Sequence, residues 1–506
     1  MGTPADNDAK QPPRRRKRRP RAAAALPVID ASTIPGSDDQ SFFERLREGG
    51  PGLLVSLVMH TIVLVVMAWY TYHIIGPAAI ETIDVGWGSK TEAENKSLVP
   101  VRIEAFNSSA EPPARPKPQA GAEKGVRKSK PKRVIQPVNV DDLLKDRNPR
   151  MAAQRVLESG GDERTMRTIG TALGWLKRQQ QSAGNWQLHQ GYPNAGLSVI
   201  RTDTGATALA LLPFLGAGHS PTDGEHHEVV AKGIQWLVGI QKADGNFHDH
   251  DELGRQTAFY AHSQATIAIC EAYLMSGNAD LQDSAERAVG FLLASQQPVT
   301  GGWKYRPLDA DSVADLSVTG WAMMALHSAR AAGIAVPDES FKRASTFLDS
   351  VSEQDGERYK YEPTDPPSRV SIAMTAEGLL CRQFLGATRS ETSIANGIEF
   401  LLDENNRPQW AAGRRNVYAW YYVGHVIHNS DEIRFREWYS STALLIVDSQ
   451  TKTGTTRRGK DVRGSWHPEK PIGSPHEYSQ KAGRLYLTSL CTLILELPFR
   501  YRGLLQ

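Results

Sequence analysis

A pattern that returns about every fifty to sixty residues constrains this chain more than any other feature of it. A helical turn ends in an aromatic-aliphatic pair and is followed by Gln, then Gly, then an aromatic. It reads Lys232-Gly233-Ile234-Gln235-Trp236-Leu237 with Gln241, Gly245 and Phe247, and again Arg287-Ala288-Val289-Gly290-Phe291-Leu292 with Gln296, Gly302 and Trp303. Spacing of this kind means stacked structural units, each too small to bury its own apolar face.

The anchor pair recurs as Trp175-Leu176, Trp236-Leu237, Phe291-Leu292, Phe347-Leu348, Phe400-Leu401 and a degenerate Leu445-Ile446 before Gln450. A loop follows each anchor, and then a more apolar helical stretch: 204–216, 257–274, 317–332, 371–385, 417–428 and 485–497. Each unit therefore reads as a helical hairpin. The first helix of a pair has a polar face, as in Ser284-Ala285-Glu286-Arg287-Ala288. The second is apolar all round, as in Trp321-Ala322-Met323-Met324-Ala325-Leu326, which suits a helix enclosed by others.

The order of Lys/Arg, aromatic-Leu, Gln and Gly-x-aromatic resembles the prenyltransferase and squalene oxidase repeat. This is the QW motif of the terpenoid cyclase and protein prenyltransferase superfamily, here of a membrane-anchored bacterial type. The third unit matches best, the second has Phe247 in place of Trp, and Trp186 closes the first. Glu353 and Tyr359 stand where the fourth unit would carry Gln and Trp; the fifth offers Asn405 and Trp410 without the Gly. In the sixth a basic insertion, Thr451 to Arg463, separates Gln450 from Gly464-Ser465-Trp466. The resemblance covers roughly residues 165 to 506. It implies an all-α fold, an (α/α)6 toroid of six hairpins whose inner helices surround a central cavity. An open helical solenoid is the alternative that periodicity leaves standing.

Residues 53–75 contain no Asp, Glu, Lys or Arg, a length that spans a ~30 Å hydrocarbon core. Trp69, Tyr70 and Tyr72 suit an interface, and the Arg14 to Arg19 cluster outweighs the basic residues after the span. The expected order is a basic disordered cytoplasmic leader (1–50), one uncleaved transmembrane helix (53–75), a Pro/Lys-rich extracytoplasmic linker (76–150) and the toroid (165–506). The membrane is thus the expected partner, with the toroid periplasmic. Nucleic acid is not expected, because no aromatics are interleaved with the basic run. The formal charge of +3 comes largely from these tails.

Three cysteines, an odd number, argue against a disulfide framework. Cys270, Cys381 and Cys491 recur every two repeats. Alternate helices of a six-membered ring lie about 14–17 Å apart if neighbours pack at 8–10 Å, too far for one zinc with ~2.3 Å bonds. They read as small buried hydrophobes at equivalent repeat positions, and neither metal nor cofactor is expected.

Catalytic devices of the superfamily are missing. Squalene-type cyclases use an Asp-x-Asp-Asp acid; the nearest sequence is Asp309-Ala310-Asp311-Ser312 followed by Asp315, without the adjacent carboxylate. Asp311 and Asp315 are the candidate acids, and the alternative is that Asp315 caps the next helix. Neither the zinc-binding Asp-x-Cys of protein prenyltransferases nor a Gly-Cys-Gly-Glu-Gln thioester sequence occurs. Candidate ligand-binding residues are Tyr260, His262, Trp321, Glu377, Tyr418, Trp420, Tyr421 and His425, an aromatic basin edged by an imidazole or carboxylate. It would suit an apolar, isoprenoid-like ligand with a polar head, or a partner. A non-catalytic binding or scaffold module is the first expectation and a divergent terpenoid cyclase the second. A glycan-processing barrel is the third.

Overall fold

The computed structural model describes residues 61, 144–188, 200–248, 258–307, 313–454 and 461–500. Two compact units divide the chain, 1–126 and 127–506. Only Thr61 of the first is described, so the leader, the expected span and nearly all of the linker lie outside the described residues. No helix among the described residues is long and apolar enough to cross a membrane.

The second unit is mostly helical. After a short helix α1 (Pro149–Glu158) the chain alternates outer and inner helices: α2 (Glu163–Gln179), α3 (Asp203–Gly216), α4 (His227–Ile240), α5 (Ala258–Ser276), α6 (Ala279–Ala294) and α7 (Leu316–Ala331). It continues through α8 (Asp338–Ser350), α9 (Ile372–Phe384), α10 (Thr392–Leu401), α11 (Val417–Ser430), α12 (Glu432–Ser449), α13 (Ser479–Leu495) and α14 (Leu497–Arg500). A two-stranded ribbon, β1 (Ser352–Glu353) and β2 (Arg358–Tyr359), is the only sheet among the described residues.

The inner helices α3, α5, α7, α9, α11 and α13 each pack against the next, and α13 packs back on α3, so the ring closes. Most residues of these helices are buried, as apolar character on all faces requires. Outer helices bury one stripe: α8 buries Phe341, Ala344, Phe347 and Leu348 and leaves its charged face to water.

Hydrogen bonds explain why the repeat uses Gln and Gly. Gln241 Nε2 donates to the Gly245 carbonyl of its own loop and to Ser284 O of the next outer helix. Gln180 bridges Gly184 and Val229, and Gln296 bridges Gly301 and Ser340, in the same way. Gln450 does so across the closure, reaching Gly464 O and Thr168 O, 282 residues earlier. Gly245 has φ +90°, and a methyl there would lie 2.0 Å from Arg287 O, so the left-handed turn and the close approach both demand glycine. In the third repeat Gly301 holds this place (φ +81°), one position before the glycine that the sequence pattern picks out.

Aromatic closers are anchored just as regularly. The Trp186, Trp303 and Trp466 indole N–H groups donate to Leu176 O, Leu292 O and Ile446 O, while their backbone N–H groups donate to Thr207, Thr319 and Thr488. Tyr359 uses Thr375. Phe247 uses His262 Nδ1 instead, at 3.4 Å, and His262 Nε2 donates to Ala288 O. In this register Cys270 lies eight residues after His262, Cys381 six after Thr375, and Cys491 three after Thr488. The three cysteines are free and buried, but they are not at equivalent positions; equal chain spacing hides loops of unequal length.

Candidate functional site

Neighbouring inner helices run in the same direction. Their N-terminal turns meet each other, as in Tyr260 Oη to Ser317 Oγ at 2.5 Å, and so do their C-terminal turns, as in Gln383 Nε2 to Val426 O at 3.0 Å. The ring therefore has two chemically distinct ends.

At the C-terminal end, Arg500 Nη2 reaches both oxygens of Glu271 at 2.9 Å, and Arg147 Nη1 reaches Glu271 Oε2 at 3.1 Å. Arg147 also donates to Arg500 O, and Arg500 lies 3.5 Å from Glu496. All four side chains are buried. Burial pushes the Glu496 carboxyl well above the usual range, against the pull of Arg500 and Arg147. The network ties the first described turn to the last and seals this end.

At the N-terminal end several tyrosines reach solvent. Tyr260, Tyr305, Tyr361, Tyr418 and Tyr486 are each half-buried. Tyr305 bonds to Tyr361 through their hydroxyls and lies 6.3 Å from the Tyr260 ring. Lys304 lies between the Tyr305 and Tyr361 rings, 4.9 and 5.4 Å from their centroids, and pairs with Asp315 (3.3 Å) and Glu362. Burial pushes the Tyr305 phenol up, and Asp315 adds to it.

Deeper lies a packed aromatic group. Trp321 stacks on Tyr421 at 6.1 Å and meets Tyr422 edge-on; His425 meets Tyr421 edge-on at 4.7 Å. Glu377, fully buried, accepts from Tyr418 Oη at 3.2 Å, with the buried Tyr422 hydroxyl beside it. Gly320 makes room for this carboxyl, since a methyl there would lie 2.1 Å from Oε1. Burial drives the Glu377 carboxyl well above its ordinary range, favouring the neutral acid, with Tyr422 and Tyr418 pulling the other way. Burial likewise holds the His425 imidazole well below its usual value.

The structure thus brings Tyr260, Trp321, Glu377, Tyr418, Tyr421 and His425 to neighbouring inner helices. Two other predicted residues turn elsewhere. His262 packs on Phe247, Phe259 and Phe291 and bonds to an outer helix, because it stands in the position that threonine holds in other repeats. Trp420 packs on Trp410, the closer of the fifth loop. Of the candidate acids, Asp311 lies outside the described residues. Asp315 is the N-cap of α7: Oδ1 accepts from Val318 N at 2.9 Å and Ser317 Oγ at 2.8 Å, and Oδ2 faces Lys304. Burial pushes its carboxyl up, while Lys304 and these donors restrain it.

Lys304, Tyr305, Tyr361 and Glu362 are additions to the sequence reading. A signal for them existed: Trp303-Lys304-Tyr305-Arg306-Pro307 and Tyr359-Lys360-Tyr361-Glu362-Pro363 share aromatic-Lys-Tyr-charged-Pro after two repeat closers. Among the described residues no group of three or more His, Cys, Asp or Glu is placed to hold a metal ion.

No curated protein matches the chain. Solved structures similar to it include the GH76A α-1,6-mannanase of Salegentibacter sp. HEL1_6, at 13% identity over 66% of this chain and 98% of that one, TM-score 0.43. Type II terpene cyclase MstE from Scytonema is similar at 14% identity over 66% and 97%, TM-score 0.42. A novel alpha-amylase from Clostridium perfringens is similar at 12% over 66% and 98%, TM-score 0.45. Their activities differ and belong to those proteins. The family model of the squalene-hopene cyclase C-terminal domain matches residues 150–265, so the opening turns of the helical ring are similar in sequence to that domain.

Proposed function

We propose that the ring is a six-hairpin α/α toroid serving as a non-catalytic binding module. Its tyrosine-lined end would take an apolar ligand bearing a polar head, and residues 53–75 would tether it to a membrane from the extracytoplasmic side. The observation that carries this reading is the state of Asp315 and Glu377, two of the described carboxyls at the aromatic end. Asp315 is committed to capping α7 and to Lys304. Glu377 is held up by burial, which makes it a weaker acid, whereas protonating an alkene or epoxide demands a stronger one. Half-buried phenol rings supply apolar faces with hydroxyls at their edges, the amphipathic lining that such a ligand needs.

Incubating the full-length protein with squalene, oxidosqualene and linear isoprenoid diphosphates tests the catalytic alternative directly. No cyclic product is expected; a cyclic product lost in Glu377→Gln or Asp315→Asn would replace the binding reading with a cyclase. Binding is read from tryptophan fluorescence with a long-chain isoprenoid alcohol, and Tyr418→Phe should weaken it. For topology, an impermeant protease added to cells with permeabilised outer envelopes should cleave the linker and spare the Arg-rich leader. Cleavage of the leader alone would overturn the placement.

A further inference from the structure

One buried cation has no counterion among the described residues. Arg484 is 2% exposed; its Nη1 donates to Ser465 Oγ at 2.9 Å, its Nε has no partner, and it forms no ion pair among the described residues. Burying an unpaired charge is costly, and natural chains normally pair such a group or keep it near water. Burial lowers the Arg484 pKa to about 10, which leaves the guanidinium charged at neutral pH.

The repeat shows how unusual the placement is. Trp466 and Trp303 donate their backbone N–H groups to Thr488 and Thr319, so Arg484 stands four residues before the threonine where the third repeat has Asp315. By the same count the first repeat has Asp203, which accepts from Asn185 and Gln187, and the fourth has Ser371, which caps α9. Acids and hydroxyls suit the positive end of a helix. Arg484 adds a positive charge there, for the backbone leaves helical geometry at Gly483 (φ 89°, ψ −169°) and regular α13 begins at Arg484.

Cations gather around His467: burial first, and then Arg484, Lys470 and Arg415, lower its imidazole to about 4. Of these cations Arg415 is answered by Glu477 at 2.8 Å, and Lys470 is exposed. Ser465 Oγ passes its own hydrogen to Val462 O at 2.6 Å, so it meets Arg484 as an acceptor and gives the guanidinium one neutral contact only.

We propose that Arg484, at the start of α13 beside Ser465 and His467, is the core of an oxyanion-binding site that takes a carboxylate or phosphate group. The unpartnered Nε of the planar guanidinium gives an oxyanion a charge-assisted donor, and the helix start adds favourable potential. The assignment stands independently of whether the tyrosine end binds an apolar ligand.

Thermal unfolding of the full-length protein at constant ionic strength tests it, with inorganic phosphate replacing chloride in one arm and sodium hexanoate in the other. Phosphate should raise the midpoint in a saturable way. Arg484→Met should hold or raise the midpoint in oxyanion-free buffer and weaken the phosphate response at least about tenfold, and Lys342→Gln, at an exposed cation of α8, should leave that response intact. Tighter response to hexanoate than to phosphate assigns the site to the carboxylate head of an apolar ligand; the reverse order assigns it to a phosphate group. A wild-type response no larger than that of chloride in both arms, or an Arg484→Met protein that keeps the response, overturns the site.

Discussion

The two ends of the ring are built from the same inner helices and do opposite things. At the C-terminal end Arg147, Glu271, Glu496 and Arg500 lock into one dry network that joins residues up to 353 apart in sequence. At the N-terminal end Tyr305 and Tyr361 flank Lys304, and these two together with Tyr260, Tyr418 and Tyr486 remain partly exposed. A buried ion network of this kind is strongly specific in geometry, and removing one partner strands the other. A tyrosine lining tolerates single losses, because each ring keeps its packing when a hydroxyl is removed. Stability is therefore concentrated at one end, and freedom to recognise a ligand at the other.

The sharpest way to break this contrast is Arg500→Leu, which leaves Glu496 without an ion-pair partner and Glu271 with Arg147 alone in a buried site. Chemical denaturation should report a loss of about 3–5 kcal/mol. A loss below about 1 kcal/mol would mean that the network adds little and that the two ends do not differ.

Next comes Gln450→Leu, which removes the side chain that bridges Gly464 O and Thr168 O at the closure. Two carbonyls lose their partner, at about 1–3 kcal/mol. Limited proteolysis should then cut first between α12 and α13. Cleavage that begins elsewhere would show that the sealed end alone keeps the ring closed.

Acid should weaken the walls between the ends. His262 is buried and His327 half-buried, and the loss of solvent around each ring lowers both imidazoles to about 4. Because the unfolded chain takes up protons at a higher pH, near 6.5, stability is fully present above that value. It falls as pH drops from about 6.5 toward 4, and then levels. The double change Phe247→Trp and His262→Thr copies the pairing of Trp303 with Thr319, and it should flatten this slope in urea titrations. An unchanged slope would assign the acid sensitivity to the other histidines.

The smallest expected effects lie at the tyrosine end. Tyr418→Phe removes one hydrogen bond to Glu377, worth about 0.5–1.5 kcal/mol. Glu377→Gln, close in shape to the neutral acid, should change stability less still. If either variant melts the ring as Arg500→Leu does, the tyrosine end is structural and the contrast fails.

Much of this architecture could be read from the chain. The apolar stretches predicted at 371–385 and 417–428 fall on α9 and α11 within two residues, because helices apolar on every face have few alternatives to an enclosed position. Even the late start predicted at residue 485 is meaningful, since Gly483 breaks helical geometry just before it. Asp315 as a helix cap was also legible, from an acid placed just before an apolar run. What periodicity could not convey was direction. His262 and Trp420 lie on inner helices, yet each side chain turns toward the closing loop of its own repeat, where the closer departs from the usual pattern.

By itself the sequence determined that this segment would be helical, where its helices lie, and that Gln and Gly would recur at four of the six joints, because these follow from local periodicity and backbone preference. Only the tertiary structure decided which groups meet. Arg500 finds Glu271 across 229 residues, and Gln450 finds Thr168 across 282. Lys304 is placed between the Tyr305 and Tyr361 rings, and Arg484 is left without a carboxylate among the described residues. Such pairings depend on ring closure and loop length. Neither has a local signature, and the energy of a buried charge is set by the neighbours that closure brings to it.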